Sequence, residues 1–148
     1  QLTQRVIAMA QIQAGDQVCD VGCGYGAMAH LLATQYHAQT LGLTLSNAQL
    51  RYAQTHNLLP NQTEFRLANW YQNNLPDAHF DAVLSIESLE HMPDLSVFFQ
   101  EAWRVLKPGG RLGMAVWSCR ENLSRFSQRW FLETTAREAQ FAAIRPWS

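Results

Sequence analysis

The sequence predicts an α/β fold: a parallel sheet with helices on both faces. Three observations carry that expectation. Short apolar runs alternate with stretches of helical periodicity along most of the chain. The first run, Val18–Cys19–Asp20–Val21, meets Gly22, Gly24 and Gly26 at alternate positions and then a stretch of good helix formers. With 148 residues, 47% of them hydrophobic, the chain suits one packed core.

The elements follow in order. After a helix over 27–33, residues 40–46 read as a second strand, closed by Ser46, which is placed to cap a helix over 47–56. Residues 57–61 end that helix, and 63–67 and 80–86 give the third and fourth strands. Residues 95–106 are helical because Leu95, Phe98, Phe99, Ala102, Val105 and Leu106 fall on one face. Lys107–Pro108–Gly109–Gly110 breaks that helix, and 111–117 gives a fifth strand. Beyond a short linker at 118–121, residues 121–143 read as one or two helices carrying Phe126, Trp130, Phe131 and Phe141.

Glycines between a strand and a helix permit a tight turn and remove the Cβ atoms that would hold a ligand off the backbone. Such a turn cradles a nucleotide-like cofactor at the carboxyl edge of a parallel sheet. A dinucleotide fingerprint reads G-x-G-x-x-G with an acid about 20 residues on. Here the spacing is G-x-G-x-G, and Asp20 stands two residues before the first glycine. An acid there suits a cofactor with a cationic amino-acid end, such as S-adenosylmethionine (SAM). Taken alone, the turn fits SAM, a dinucleotide or a purely structural bend.

Four motifs in order extend the signal: VCDVGCGYG, the strand end GLTLS with Gln49, FDAVLSIESLEHMPD, and LKPGGRLGMAVW. With these the chain resembles the class I SAM-dependent methyltransferases from about residue 4 to residue 119. GLTLSNAQ and SIESLEHMPD resemble the small-molecule branch, with its tocopherol-type C-methyltransferases and natural-product O- and N-methyltransferases. The resemblance implies a Rossmann-like sheet of seven strands, of which five are identifiable. The expectation is therefore a sheet cut short before its last two strands. Residues 1–119 would form the SAM-binding core and 120–148 a helical segment beginning a substrate lid.

The resemblance also implies a site. Gly22, Gly24 and Gly26 would let the backbone approach the methionine part of SAM, and Asp20 would lie near its ammonium or else be a buried acid steadying the loop. Cys23 belongs to the same turn, where a small side chain fits better than a reactive role. Thr44 and Leu45 replace the acid usual at the second strand's end. The ribose would then be held by backbone groups and Gln49, whose amide both donates and accepts; the alternative is an exposed helix Gln. Asn69 would meet the adenine amino group, with Trp70 along the ring or in the core. Ile86 would touch the cofactor, and Glu87 would serve it or the loop.

Methyl transfer is mainly alignment, plus removal of a proton where the acceptor is a hydroxyl. A neutral imidazole accepts such a proton near neutral pH, so His91 is the candidate base; its other reading is a loop cap before Met92–Pro93. Glu90, if partly buried, is a second candidate. The product would be S-adenosylhomocysteine (SAH). GLTLSxxQ with an aromatic in LANWYQ and an EH pair is also similar to cyclopropane-fatty-acid synthases, where the glutamate matching Glu90 helps hold a bicarbonate base. A catalytically silent SAM-binding module and an NAD-dependent oxidoreductase are further alternatives.

Composition bounds the partners. Eleven Lys and Arg against twelve Asp and Glu argue against a nucleic-acid surface. No apolar span reaches the roughly 18 residues of a membrane helix, and the start shows no leader design. Three cysteines with no metal spacing suit a reducing cytoplasm and no metal site. The expected partner is a small-molecule substrate, with no nucleic acid and the oligomeric state open.

Overall fold

The computed structural model describes residues 2–117. Five strands, β1 (Gln17–Val21), β2 (Gln39–Thr44), β3 (Thr63–Leu67), β4 (Phe80–Ile86) and β5 (Leu106–Ala115), form one sheet in the order β3-β2-β1-β4-β5. Every pairing is parallel. Four helices flank it: α1 (Leu2–Met9), α2 (Ala27–Tyr36), α3 (Asn47–Thr55) and α4 (Leu95–Val105). The α/β expectation of a parallel Rossmann-like sheet holds.

Strand alternation explains the layers. On β1, Val18 packs with Val6 and Ile7 of α1 and Leu32 of α2, while Cys19 and Val21 pack with Phe98, Ala102 and Val105 of α4. Both faces of the sheet are therefore buried, as parallel strands require. A third cluster joins Ala29 of α2 and Ala53 of α3 to Phe65 of β3.

Chemistry at the helix ends sets their bounds. Ser46 accepts from Gln49 N and caps α3; Asp94 accepts from Ser96 N and Val97 N and caps α4. Arg104 of α4 donates to Leu75 O at 2.6 Å and Asn73 Oδ1 at 3.0 Å, pinning the segment between β3 and β4 to the helix.

Three details differ from the sequence reading. The helix α1 was not foreseen; its buried side is only Val6 and Ile7, too narrow a stripe to stand out in eight residues. β2 ends at Thr44, so Leu45 and Ser46 lie on the connecting loop. The break at 107–110 falls inside β5, not between helix and strand. Leu106 pairs with Phe80 and Arg111 with Ala82, and the extra residues bulge out around Pro108, which has no N–H, and Gly109 at φ +78°. The tail helices, the linker and the 120–148 segment lie outside the described residues.

Candidate active site

A cleft of about 550 Å³ opens at the carboxyl ends of β1, β2 and β4. The order places it where β1 and β4 are neighbours although β2 and β3 intervene in sequence, the switch point at which parallel α/β sheets take ligands. A second hollow, of about 430 Å³, lies at the opposite ends, around Gln17, Gln39 and Thr63.

The three glycines of the turn serve three different ends. Gly22 sits at φ +81°, and a Cβ there would fall 2.7 Å from Ser88 Oγ. Ser88 in turn donates to Val21 O at 2.8 Å and shares a hydrogen bond with Ser85 Oγ. Gly26, at φ +87°, lets α2 approach Phe65, whose ring would meet a Cβ at 2.7 Å. Gly22 and Gly24 both line the cleft, but only at Gly24 would a Cβ meet no protein atom within 4 Å. The turn hangs from β2, since Gly22 N and Cys23 N both donate to Leu43 O at 2.9 Å.

Thr44 and Gln49 form the next part of the wall. The Thr44 hydroxyl donates to Gln49 Oε1 at 2.8 Å and accepts from Ser46 N at 3.1 Å. Holding the carbonyl end of the amide leaves its NH₂ end to offer donors. Leu45 stands on the lip, 72% exposed. Asn69 Oδ1 accepts from Tyr71 N at 3.0 Å and starts a short 3-10 turn over Trp70–Gln72. Trp70 lines the cleft yet is 4% exposed; its indole donates to Phe98 O at 3.2 Å and its ring packs on Phe98. It joins the cleft to the core.

The far wall is the loop after β4, with Ile86, Glu87, Ser88, His91, Met92 and Pro93. Glu87 takes a left-handed φ of +52°, held by its N–H to Ala115 O at 2.8 Å, and its side chain is exposed. Strained non-glycine backbone of this kind clusters at functional sites. His91 is exposed on the cleft.

Four expected site residues do not line the cleft. Asp20 is buried at 1% exposure beneath the turn, its Oδ2 without a partner, and burial pushes its pKa up to about 7. Cys23 turns inward onto Gly42 and Phe65, and burial with the neighbouring Asp20 pushes its thiol up to about 12, which suits packing and not reactivity. Gly26 supports α2. Glu90 is also buried: its Oε1 accepts from Trp117 N at 2.5 Å, and its Oε2 has no partner. The carboxylate ties the end of β5 to the short turn over Leu89–His91. Tyr71, Ser88 and Met92 were not foreseen as site residues: Ser88 and Met92 stand inside SIESLEHMPD and Tyr71 inside LANWYQ, but their residue types do not mark them out. Among the described residues no group of three or more His, Cys, Asp or Glu could hold a metal ion, and no helix is long and apolar enough to cross a membrane.

Residues 19–114 match the family described as a methyltransferase domain. The chain is 37% identical over 116 residues to 27-O-demethylrifamycin SV methyltransferase of Amycolatopsis mediterranei (strain S699), covering 76% of this chain and 43% of that protein. It is 40% identical over 111 residues to the chloroplastic tocopherol O-methyltransferase of Arabidopsis thaliana, covering 73% and 32%. The chain thus spans less than half the length of these relatives. Among solved structures, the [4+2]-cyclase SpnF superposes with a TM-score of 0.76 at 32% identity, over 81% of this chain and 45% of that one. Geranyl diphosphate C-methyltransferase from Streptomyces coelicolor A3(2), in complex with SAH, shares the fold with a TM-score of 0.83 at 22% identity, over 97% and 53%. By the match over residues 19–114, the chain belongs to the class I SAM-dependent methyltransferases.

Proposed function

We propose that the chain carries the cofactor site of an enzyme that methylates a small molecule, a natural product or a prenylated aromatic, with SAM as donor. The observation that carries this reading is the cleft itself: a glycine turn open only at Gly24, beside a strand end whose polar groups are uncharged. Gly24 and the backbone of the turn would take the methionine part, Gln49 and Thr44 the ribose, and Asn69 with Trp70 the adenine. Asp20, whose buried Oδ2 is unpartnered beneath the turn, would give up its proton beside a bound ammonium and balance that charge. When bound, SAM supplies a methyl group on a positively charged sulfur.

The chain's own part is orientation and proton handling. The two loops bounding the cleft exclude water from its floor, and His91, at the mouth, accepts the proton of an acceptor hydroxyl. Glu90 acts through the loop, holding the turn that bears His91 against Trp117. Calorimetric titration with SAH tests the cofactor site: micromolar binding supports it, and binding of NAD in place of SAH would refute it.

A second reading, a SAM-binding protein of this family that transfers no methyl group, draws support from the likeness to the [4+2]-cyclase. SAH binding without transfer to hydroxyl, amine or olefinic acceptors would favour it.

A further inference from the structure

We propose that Tyr71 is a positioning residue of the cofactor cleft, its hydroxyl clasping the two loops that form the side walls. The inference rests on reading that cleft as the SAM site. One wall is the segment after β3, with Asn69, Trp70 and Tyr71; the other is the loop after β4, with His91, Met92 and Pro93. Deep in the protein the first wall is fastened to α4 by the buried hydrogen bond from Trp70 to Phe98 O. Farther along the segment Asn73 is held by Glu101 and Arg104 of α4, and at the start of that helix a hydroxyl adds the fastening nearest the loop after β4. Tyr71 Oη donates to the Asp94 carbonyl at 2.7 Å and accepts from the Asp94 N–H at 3.0 Å.

Asp94 is the hinge post of this arrangement. Its backbone faces Tyr71, while its carboxylate caps α4 through Ser96 N at 2.8 Å. The clasp therefore closes on the first residue of a rigid helix and fixes where Met92 and Pro93 stand. The bond is open to solvent, with Asp94 exposed and Tyr71 half-buried, so water replaces the hydroxyl if it is removed and the bond adds little to folding. Met92 and Tyr71 both pack against the cluster that holds Trp70, and the hydroxyl adds a directed bond across the same span. An aromatic hydroxyl that donates to and accepts from the same residue holds that span from two directions.

The test titrates SAH into the full chain and two variants, with the unligated melting temperature measured on each. Tyr71→Phe keeps the ring and is expected to weaken SAH binding about five- to tenfold, the loss an exposed hydrogen bond carries when it sets geometry. Its dissociation rate rises in step, and its melting temperature stays within about 2 °C of the parent. Thr63→Val removes a buried hydroxyl that donates to Leu59 O at 3.0 Å, at the end of the sheet away from the cleft. It is expected to lower the melting temperature by several degrees while keeping affinity within about twofold. Parent-like affinity in Tyr71→Phe overturns the clasp and leaves the cofactor site standing. A weakened Tyr71→Phe whose melting temperature falls as far as that of Thr63→Val makes Tyr71 structural and also overturns it. A parent that does not bind SAH overturns the cofactor site, and the clasp with it.

Discussion

Ser88 occupies the space that a side chain on Gly22 would need, and its hydroxyl reaches back to the carbonyl of Val21, the residue just before that glycine. The loop after β4 is thereby keyed into the turn after β1. The first glycine of the motif is a packing requirement between two loops, whatever binds above them.

The three glycines should accordingly fail in different ways. Gly22→Ala and Gly26→Ala each force a Cβ into Ser88 or Phe65 at a positive φ, and each should cost about 2–4 kcal/mol of stability by overpacking and strain. Gly24→Asn, with a residue that tolerates the left-handed region, should melt within a few degrees of the parent and yet lose SAH affinity by roughly tenfold or more. Denaturant titration and calorimetry on the three variants check this; Gly24→Asn with full affinity would place the ligand elsewhere.

Asp20 should make the unligated protein sensitive to pH. Unfolded, it loses its proton at about pH 4; folded, burial holds the proton to about pH 7. Between those values the folded state binds the extra proton, so stability falls as the pH rises from about 4 through about 7. Asp20→Asn should match the parent near pH 4 and exceed it by a few kcal/mol at pH 8. Parallel melting curves for the two across that range would contradict the assignment.

Glu90 is expected to act through its hydrogen bond to Trp117. Glu90→Gln keeps an acceptor for Trp117 N and should hold stability and SAH affinity close to the parent. Glu90→Ala removes the acceptor of Trp117 N, on an exposed residue that water can reach, and should cost about 1 kcal/mol. Thermal melts separate these outcomes, and a Glu90→Gln variant with parental binding but no turnover would instead make the carboxylate catalytic.

His91→Ala should lower kcat by about a hundredfold or more for a hydroxyl acceptor, the range of a general base, with SAH affinity nearly unchanged. Steady-state kinetics beside calorimetry check the split. Equal losses in both would make His91 a residue of the loop and not of the chemistry.

Much of the scaffold was legible in the residues alone. Strands over 63–67 and 80–86 were readable to the residue: in the first Thr63 and Phe65 alternate with exposed Glu64 and Arg66, and the second is a mostly apolar run between polar turns. The helix α1 and the start of β5 were not, the first for its narrow apolar stripe, the second because Pro108 and Gly109 read as a terminus when they form a bulge. The site divided along a similar line. The family resemblance grouped Gly24, Thr44, Gln49, Asn69 and His91, which the fold gathers around one cleft. It could not tell which way a side chain leaves a turn, so Cys23 and Glu90 were grouped with them although both point into the interior. Tyr71 and Ser88 escaped notice because their roles depend on partners 23 and 67 positions away.

The pairing of β1 with β4 has a consequence for how this protein acquires its ligand. Because the two walls come from opposite halves of the chain, neither half can capture the cofactor before the seam between them closes. Ligand capture then reports completed folding, and by mass action it favours chains that have finished over those that have stalled.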